Sequence, residues 1–182
     1  DVYKRQAYSR VQKFLENDQE ELDRYIQVNI RSPLLLVHSV CHLLSKEQEL
    51  RKGIILMSSL AGSWGTQLLA PYGASKAFNH NLAESLSHEL KSEGFDVLAC
   101  IAGPTSTPGY LASLPQGKVR SMSVMDPEKV VKTGLRALGR KPFVVTGIRN
   151  KLTYFMMTRM LPRRISLRIM NRAVGKLYSE KI

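Results

Sequence analysis

Short, continuous apolar runs separate longer stretches of mixed character along this chain. The runs lie at 53–59 (GIILMSS), 95–101 (FDVLACI) and 142–147 (PFVVTG). Runs of this length without polar alternation are typical of strands buried on both faces of a parallel sheet. Apolar residues between them recur with the period of a helix. The order of helices and strands therefore predicts a layered α/β fold with crossover helices.

Three helices are predicted from this period and from their end signals. Residues 18–50 form one long helix, with a kink or tightening expected at Pro33. A second helix begins near Pro71, since proline suits a first helical turn, and ends at Gly94 as its capping residue. A third helix covers 126–140 and begins on Asp-Pro, an N-cap followed by a first-turn proline.

Positive charge is concentrated in the last part of the sequence. The 182 residues carry a net charge of +12, and residues 149–182 hold nine Lys/Arg against one acid. A basic stripe beside apolar positions predicts an amphipathic helix. The stripe repeats every four residues, at Arg164, Arg168, Arg172 and Lys176.

The sequence allows two surfaces on which this basic extension could lie. We favour packing on its own subunit or a neighbour, and keep peripheral contact of 150–182 with an anionic membrane as the alternative. The sequence has no aromatic platform or reading motif for nucleic acid, so we expect no such partner.

Composition argues against several classes of site. Cys41 and Cys100 lie far apart in apolar surroundings, which indicates reduced, buried thiols in a cytoplasmic protein and predicts no metal site. No apolar run approaches the roughly 20 residues that a membrane span needs. The first six residues, DVYKRQ, resemble a translated adapter sequence, so we expect them to lie outside the fold.

Tyr72 and Lys76 in PYGASK lie on one face of the second predicted helix. A free tyrosine, with a pKa of about 10, is a poor acid–base catalyst at neutral pH. A neighbouring ammonium favours the phenolate and is expected to lower that pKa. Such a tyrosine can protonate a carbonyl oxygen or deprotonate an alcohol. Taken alone, the pair also fits an aromatic residue at a helix start beside a solvated lysine.

Further residues place this pair in a pattern. Ser59 ends the first predicted strand 13 residues before Tyr72, Asn29 lies on the preceding helix, and AGPTST follows the second strand. Ligands gather at the carboxyl ends of strands in α/β sheets. These residues resemble the Asn, Ser, Tyr, Lys tetrad of the short-chain dehydrogenase/reductase family. The sequences of the segments ILMSSLAG and YGASKAF resemble that family as well.

The resemblance implies a doubly wound, Rossmann-like parallel sheet and NAD(P)-dependent exchange between an alcohol and a ketone or aldehyde. It implies Tyr72 as general acid/base and Lys76 as the group that lowers its pKa and binds ribose. Ser59 would orient the carbonyl, Asn29 would support a proton-relay water, and Ser58 would be structural. The implied cofactor-binding residues are Tyr72, Lys76, Ala102, Gly103, Pro104, Thr105 and Thr107, with alanine at 102 where the family usually has proline.

The family's Gly-rich phosphate turn and its NAD- or NADP-selecting residue are not found in the sequence, so that choice stays open. The chain thus resembles the C-terminal two-thirds of such an enzyme, with a partial catalytic domain at 7–148 and the basic extension at 149–182. We expect the isolated chain to be inactive and the full-length protein to be a homo-oligomer. The alternative is a catalytically silent protein of this fold, or a membrane-associated scaffold.

Residues 106–125 correspond by this resemblance to a substrate lid. Their apolar side chains favour a small, apolar carbonyl or alcohol substrate, although lids are often apolar for packing reasons. A serine hydrolase is disfavoured because the sequence has no G-x-S-x-G nucleophile motif.

Overall fold

Three parallel strands form the centre of the computed structural model, which describes residues 7–47, 51–115 and 124–179. The strands are β1 (Lys52–Ser59), β2 (Phe95–Ala102) and β3 (Phe143–Val145), and they lie in the order β1-β2-β3. All pairings are parallel. The three apolar runs are therefore confirmed as strands of a parallel α/β sheet. The adapter-like residues 1–6 lie outside the described part of the chain.

Seven α-helices occur in the described residues. They are α1 (Gln19–Ile26), α2 (Ser32–Leu44), α3 (Ala70–Glu89), α4 (Pro108–Ser113), α5 (Pro127–Ala137), α6 (Ile148–Phe155) and α7 (Arg163–Leu177). Asp126 caps α5 through its side chain, as predicted, by accepting a hydrogen bond from the backbone of Glu128 at 2.7 Å.

Helices cover both faces of the sheet. On β2, Phe95, Val97 and Ala99 belong to a core cluster with residues of α2 and α3. Leu98 and Cys100 point the other way, into a cluster with residues of α5. Full burial of a side chain as large as Phe95, Val97 or Leu98 stabilises the fold by roughly 1.5–3 kcal/mol. This two-sided burial explains why β2 is apolar throughout, and it confirms the layered, doubly wound arrangement.

The predicted helix over 18–50 is confirmed as one run of helical backbone from Gln19 to Leu44, where it ends earlier than expected. The kink or tightening expected at Pro33 takes the form of a wide π-type turn at Gln27–Arg31, between α1 and α2. Pro33 lies in the first turn of α2. Because proline has no N–H, the carbonyl four residues earlier, that of Asn29, lacks its regular helical donor. The predicted distortion at Pro33 therefore falls one turn earlier, around Asn29.

Gly94 does not cap the second predicted helix. That helix, α3, ends at Glu89, and a turn of irregular backbone leads to Gly94. Gly94 has φ +78°, a left-handed conformation that glycine adopts without strain. The backbone N–H of Phe95 then returns to the carbonyl of Leu90 at 3.2 Å, which starts β2.

The basic extension forms two helices where one was predicted. After α6 the chain makes a wide turn at Met156–Met160, and Pro162 precedes α7. Proline restricts the preceding residue to extended backbone, and Leu161 has φ −101° and ψ 139°. None of the helices in the described ranges has the length and apolar content that crossing a membrane requires.

One face of this extension packs on the rest of the protein, as we favoured. The Asn171 side chain accepts a hydrogen bond from the backbone N–H of Gln67 at 2.7 Å and donates to the carbonyl of Gly65 at 3.1 Å. Tyr154 of α6 lies against Trp64, with 6.1 Å between ring centroids. The extension is therefore attached to the loop that follows β1.

The opposite face of the extension exposes large apolar side chains between its arginines. On α7, Ile165 and Ile169 are 42% and 44% exposed, while Ser166 is buried and donates to the carbonyl of Met157. The exposed apolar set of α6 and the following turn is Ile148, Leu152, Phe155, Met156 and Met160.

Candidate active site

The carboxyl ends of β1 and β2 meet at the same edge of the sheet. In the parallel register Ser59, the last residue of β1, lies opposite Ala102, the last residue of β2. The segment carrying Ser59 and the segment 102–107 are therefore neighbours, as the sequence predicted from the ends of the two strands.

Ser59 begins a tight turn that packs directly on α3. Its hydroxyl oxygen accepts a hydrogen bond from the backbone N–H of Ala61 at 3.2 Å. Two glycines allow the close approach of turn and helix. A Cβ on Gly62 would lie 2.7 Å from the backbone N of Ala77, and one on Gly73 would lie 2.8 Å from the carbonyl oxygen of Ala61. The serine turn thus has little freedom to shift along the helix.

Tyr72 stands in the first turn of α3 and contacts the serine. A hydrogen bond between its phenol and the Ser59 hydroxyl favours the phenolate, but burial has the larger effect and raises the pKa of Tyr72 above its ordinary value of 10.0. The expected lowering of this pKa is therefore not found. The physical reason is that desolvation of the phenolate outweighs the one hydrogen bond that stabilises it.

Lys76 lies one turn after Tyr72 and is buried. Its ammonium donates to the carbonyl oxygen of Met57 at 3.0 Å, and Nζ lies 5.6 Å from the centroid of the Tyr72 ring. Burial lowers the pKa of Lys76 to about 8. The lysine is held under the tyrosine by the strand, and the Met57 bond uses one of its three N–H donors.

Ser58, unlike Ser59, joins the strand to the tyrosine helix. It is buried, and its hydroxyl donates to the backbone carbonyl of Lys76 at 2.8 Å. This bond joins β1 to α3, which agrees with the structural role that was expected of Ser58.

Asn29 lies in the wide turn between α1 and α2 and is 2% exposed. Its side chain exchanges two hydrogen bonds with the backbone of Tyr8, each 2.8 Å long. Its amide nitrogen also donates to Ser75 Oγ on α3 at 3.1 Å. The side chain of Asn29 therefore joins the N-terminal segment to the tyrosine helix, and its backbone carbonyl is directed to α3 at Asn79.

Asn79 was not identified from the sequence. Its amide nitrogen donates to the carbonyl oxygen of Asn29 at 3.2 Å, and it is 5% exposed. A signal was present: Asn79 follows Tyr72 by seven residues and Lys76 by three, so all three share a helix face. A polar residue on a face that packs against another helix needs a partner. Asn171 had no such signal, since its partners Gln67 and Gly65 lie 104 and 106 residues away in the chain.

The segment after β2 forms a compact base for the predicted lid. Thr105 Oγ1 donates to the carbonyl of Gly103 at 2.9 Å, and Thr107 Oγ1 caps α4 by accepting from the backbone of Tyr110 at 3.3 Å. Met125 returns to this base through a backbone bond to the carbonyl of Pro104 at 2.8 Å. Residues 116–123 of the predicted lid lie outside the described residues.

Ala102 completes β2 opposite Ser59. Alanine keeps the backbone N–H that proline would lack, so the departure from the family's usual proline is compatible with a strand that continues to this point.

The described residues fit one end of a nicotinamide dinucleotide. The ammonium of Lys76 keeps donors for sugar hydroxyls, and the Thr107 hydroxyl, which accepts its capping bond, can still donate to a carboxamide. A diphosphate needs a glycine-rich turn that opens a long helix. In the described ranges, β1 leads into a short turn packed on α3, and β2 leads into the six-residue α4. The fit is therefore to the nicotinamide and its ribose.

Comparison with known proteins agrees with this geometry. A family model described as short chain dehydrogenase matches residues 6–115. A very-long-chain 3-oxoacyl-CoA reductase of Meyerozyma guilliermondii is 34% identical over 143 residues, which cover 75% of this chain and 40% of that protein. A 7beta-hydroxysteroid dehydrogenase of Clostridium sardiniense is 30% identical over 135 residues, which cover 74% of this chain and 51% of that protein.

A solved structure from work on 7beta-hydroxysteroid dehydrogenase stereoselectivity superposes with a TM-score of 0.80 at 26% identity. The match covers 91% of this chain and 64% of that one. The chain thus spans about half the length of the curated relatives it matches, and the similarity includes the segments that carry Asn29, Ser59, Tyr72 and Lys76.

Proposed function

Since this chain belongs to the short-chain dehydrogenase family, we propose that the complete protein is an NAD(P)-dependent oxidoreductase that interconverts an alcohol with a ketone or aldehyde. The observation that carries this proposal is the convergence of Ser59, Tyr72 and Lys76 at the carboxyl end of β1. A tyrosine hydrogen-bonded to a serine, above a buried ammonium, is suited to moving one proton to or from an oxygen atom.

Each residue then has a separate task. Ser59 donates to the substrate oxygen and orients it, and Tyr72 supplies or removes the proton. Lys76 is one turn away, where a positive charge favours the phenolate once a substrate and cofactor exclude water. The bound nicotinamide supplies or accepts the hydride, while these residues supply position and the proton.

The proposed cofactor contacts follow from the same placement. Lys76 would donate to the nicotinamide ribose, together with the Tyr72 phenol. The backbone of 102–105 and the hydroxyl of Thr107 would hold the carboxamide, because they lie at the end of β2 beside Ser59.

An apolar carbonyl or alcohol is the proposed substrate class. An apolar cluster joins α4, the end of α7 and the residues just before α3, with Leu114 and Tyr178 buried at its centre. These surfaces are continuous with the start of the tyrosine helix, since Leu69 belongs to the cluster and precedes Tyr72 by three residues. Similar proteins are named for a very-long-chain 3-oxoacyl-CoA and for a 7beta-hydroxysteroid.

Tyr72→Phe in the protein expressed from its complete coding sequence tests the mechanism. We expect nicotinamide-dependent turnover to fall by about 10²–10⁴-fold, because the variant lacks the transferred proton. Cofactor binding, followed by fluorescence titration, should stay largely intact. Tyr154→Phe, in a tyrosine outside the site, is the control. Unchanged turnover in Tyr72→Phe would refute the mechanism and favour a silent protein of this fold.

Peripheral membrane contact of 150–182 is a further proposal. It is supported by the exposed apolar side chains of α6, including Leu152 and Phe155, and by Ile165 and Ile169, which follow arginines directly on α7. Basic residues attract anionic headgroups while apolar side chains enter the interface. Homo-oligomer formation also stays a proposal, supported by the exposed leucines of α2 at Leu34, Leu35, Leu36 and Leu43.

Vesicles containing phosphatidylserine test the membrane proposal. Leu152→Glu should reduce co-sedimentation of the complete protein, because a carboxylate replaces an apolar contact beside anionic lipid. Leu135→Glu on α5 is a matched control, since the two leucines are 62% and 59% exposed. Equal binding by the two variants would eliminate membrane contact through α6.

A further inference from the structure

A buried amide lies next to the proposed catalytic residues without belonging to the tetrad. Asn79 is on the face of α3 that carries Tyr72 and Lys76, and it is 5% exposed. Burying an amide carries a desolvation cost unless both its ends find hydrogen-bond partners. An apolar residue would fill the same place without that cost, so the presence of the amide requires an explanation.

One end of the amide is fixed by the backbone of Asn29. Nδ2 of Asn79 donates to the carbonyl oxygen of Asn29 at 3.2 Å. That carbonyl lacks its helical donor because residue 33 is proline. Turning the amide around would place two acceptor oxygens against each other, so the orientation of the side chain is determined.

The other end of the amide is an oxygen atom for which the described residues supply no hydrogen-bond donor. Oδ1 of Asn79 is buried and makes no hydrogen bond within the described residues. Asn29 cannot supply the donor, because both hydrogens of its own side-chain amide are used by the carbonyl of Tyr8 and by Ser75 Oγ. Lys76, three residues before Asn79 on the same helix face, carries three N–H donors and gives one to Met57.

We propose that Asn79 is a positioning residue for proton delivery to Lys76: its N–H holds the Asn29 carbonyl towards the helix, and its oxygen accepts from a water shared with the lysine ammonium. The inference rests on the proposed function. Reducing a carbonyl consumes one hydride and one proton. Tyr72 gives that proton to the substrate oxygen and regains it from solvent by way of Lys76 and this water.

On α3, the titratable groups near this position are Tyr72 and His80, and His80 Nε2 lies 3.6 Å from Glu84. Among the other described residues they are Tyr8, which is bonded to Asn29, and Glu21 and Tyr25 on α1. Glu21 is paired with Arg10, and the phenol of Tyr25 accepts from the backbone N–H of Arg10. Burial, and none of these neighbours, lowers the pKa of Lys76. A change at Asn79 should therefore appear clearly in the titration of the lysine.

Two substitutions of opposite character test the inference in the complete protein. Asn79→Leu removes the acceptor, so the Lys76 pKa should fall by about one unit. Asn79→Asp keeps an oxygen and adds a negative charge, so the same pKa should rise. The new carboxylate attracts the ammonium through space even without a water, so the fall of the pKa in Asn79→Leu is the result specific to the inference. The pKa is read by NMR of [¹³C]lysine-labelled protein, with the Lys76 signal assigned from its loss in Lys76→Met.

Kinetics supply the second readout. Asn79→Leu should lower kcat by about tenfold with little change in KM, and the limiting step should show a larger solvent isotope effect. Asn81→Leu is the matched control, because it is the same substitution on the exposed side of the same helix. It should leave both the kinetics and the Lys76 pKa unchanged.

The outcomes separate this inference from the proposed function. A Lys76 pKa that is the same in wild type, Asn79→Leu and Asn79→Asp overturns the inference, whether or not the protein turns over an alcohol. A pKa that moves in opposite directions supports the coupling even if no turnover is found, in which case the proposed function alone fails. If Asn79→Leu does not fold, the near-isosteric Asn79→Asp still decides: no upward shift overturns the inference.

Discussion

Gly62 joins the serine turn to the tyrosine helix, and replacing it with alanine should displace one from the other. The new Cβ would lie 2.7 Å from both the backbone N of Ala77 and the backbone C of Lys76, where ordinary contact begins at 3.4 Å. These are main-chain atoms in the middle of a helix, so they cannot rotate away as a side-chain end would. The turn must therefore move by about 0.7 Å, the difference between the two distances.

This displacement converts into two measurable losses. Overpacking of this kind costs about 1–3 kcal/mol of unfolding free energy. A misplacement near 1 Å costs about 10²-fold in rate, so a shift of this size should lower kcat by roughly 10- to 100-fold. The urea midpoint reports the first loss, and steady-state kinetics of the complete protein report the second.

Gly65→Ala is the control for the same loop. A Cβ at Gly65 would meet only Leu167 Cδ2 at 3.8 Å, an ordinary contact, and no positive φ is required there. The control should therefore keep the wild-type midpoint and kcat. If Gly62→Ala behaves like Gly65→Ala in both assays, the close approach does not hold Ser59 in place.

Two further variants test the electrostatics and the attachment of the extension. Because the Lys76 pKa is lowered from 10.5 to about 8, the folded state binds its proton more weakly than the unfolded state. The lysine therefore destabilises the fold fully below pH 8, and this penalty disappears towards pH 10.5. Lys76→Met should abolish turnover and raise the urea midpoint of unfolding at pH 7. Lys129→Met, at an exposed lysine, is the control. A lower midpoint for Lys76→Met would show that the hydrogen bond to Met57 outweighs the cost of burying the ammonium. Asn171→Ala should lower the unfolding free energy by about 1–2 kcal/mol, since it removes the side-chain bonds to Gln67 and Gly65; a midpoint equal to that of Arg172→Ala would contradict this.

The sheet was predictable because burial on both faces leaves a direct trace in the sequence. β2 needs apolar residues at successive positions, since Leu98 faces α5 while Ala99 faces α2 and α3. Pro33 also indicated a distortion of the first helix, because proline lacks the N–H that would bond to the carbonyl of Asn29. The partner that this carbonyl finds instead, Asn79 on another helix, did not follow from that signal.

In the candidate site, too, some features could be predicted from the sequence and others could not. The order and spacing of Ser59, Tyr72 and Lys76 were enough to predict that they lie close together, because Ser59 ends a strand and the tyrosine helix follows from that edge of the sheet. The direction of the Tyr72 pKa shift did not follow from spacing. It depends on how deeply the packed turn buries the phenol, and this burial is produced by residues far apart in the chain.

The basic extension was predicted as an amphipathic helix, but the side that packs was not specified. Ile165 and Ile169 are exposed, whereas Ser166 and Asn171 face the protein. Polar side chains that find specific backbone partners can direct a helix face inward, and hydrophobic period alone does not reveal them.

The bonds between Asn171 and Gln67 also bear on the order in which the protein matures. The two residues are 104 positions apart, and a ribosome adding about 5–20 residues per second needs roughly 5–20 s to cover that distance. During this interval the loop after β1 has emerged without its partner. Closing so long a loop carries a substantial entropy cost. The loop after β1 therefore gains this attachment only after all three strands of the sheet have been synthesised.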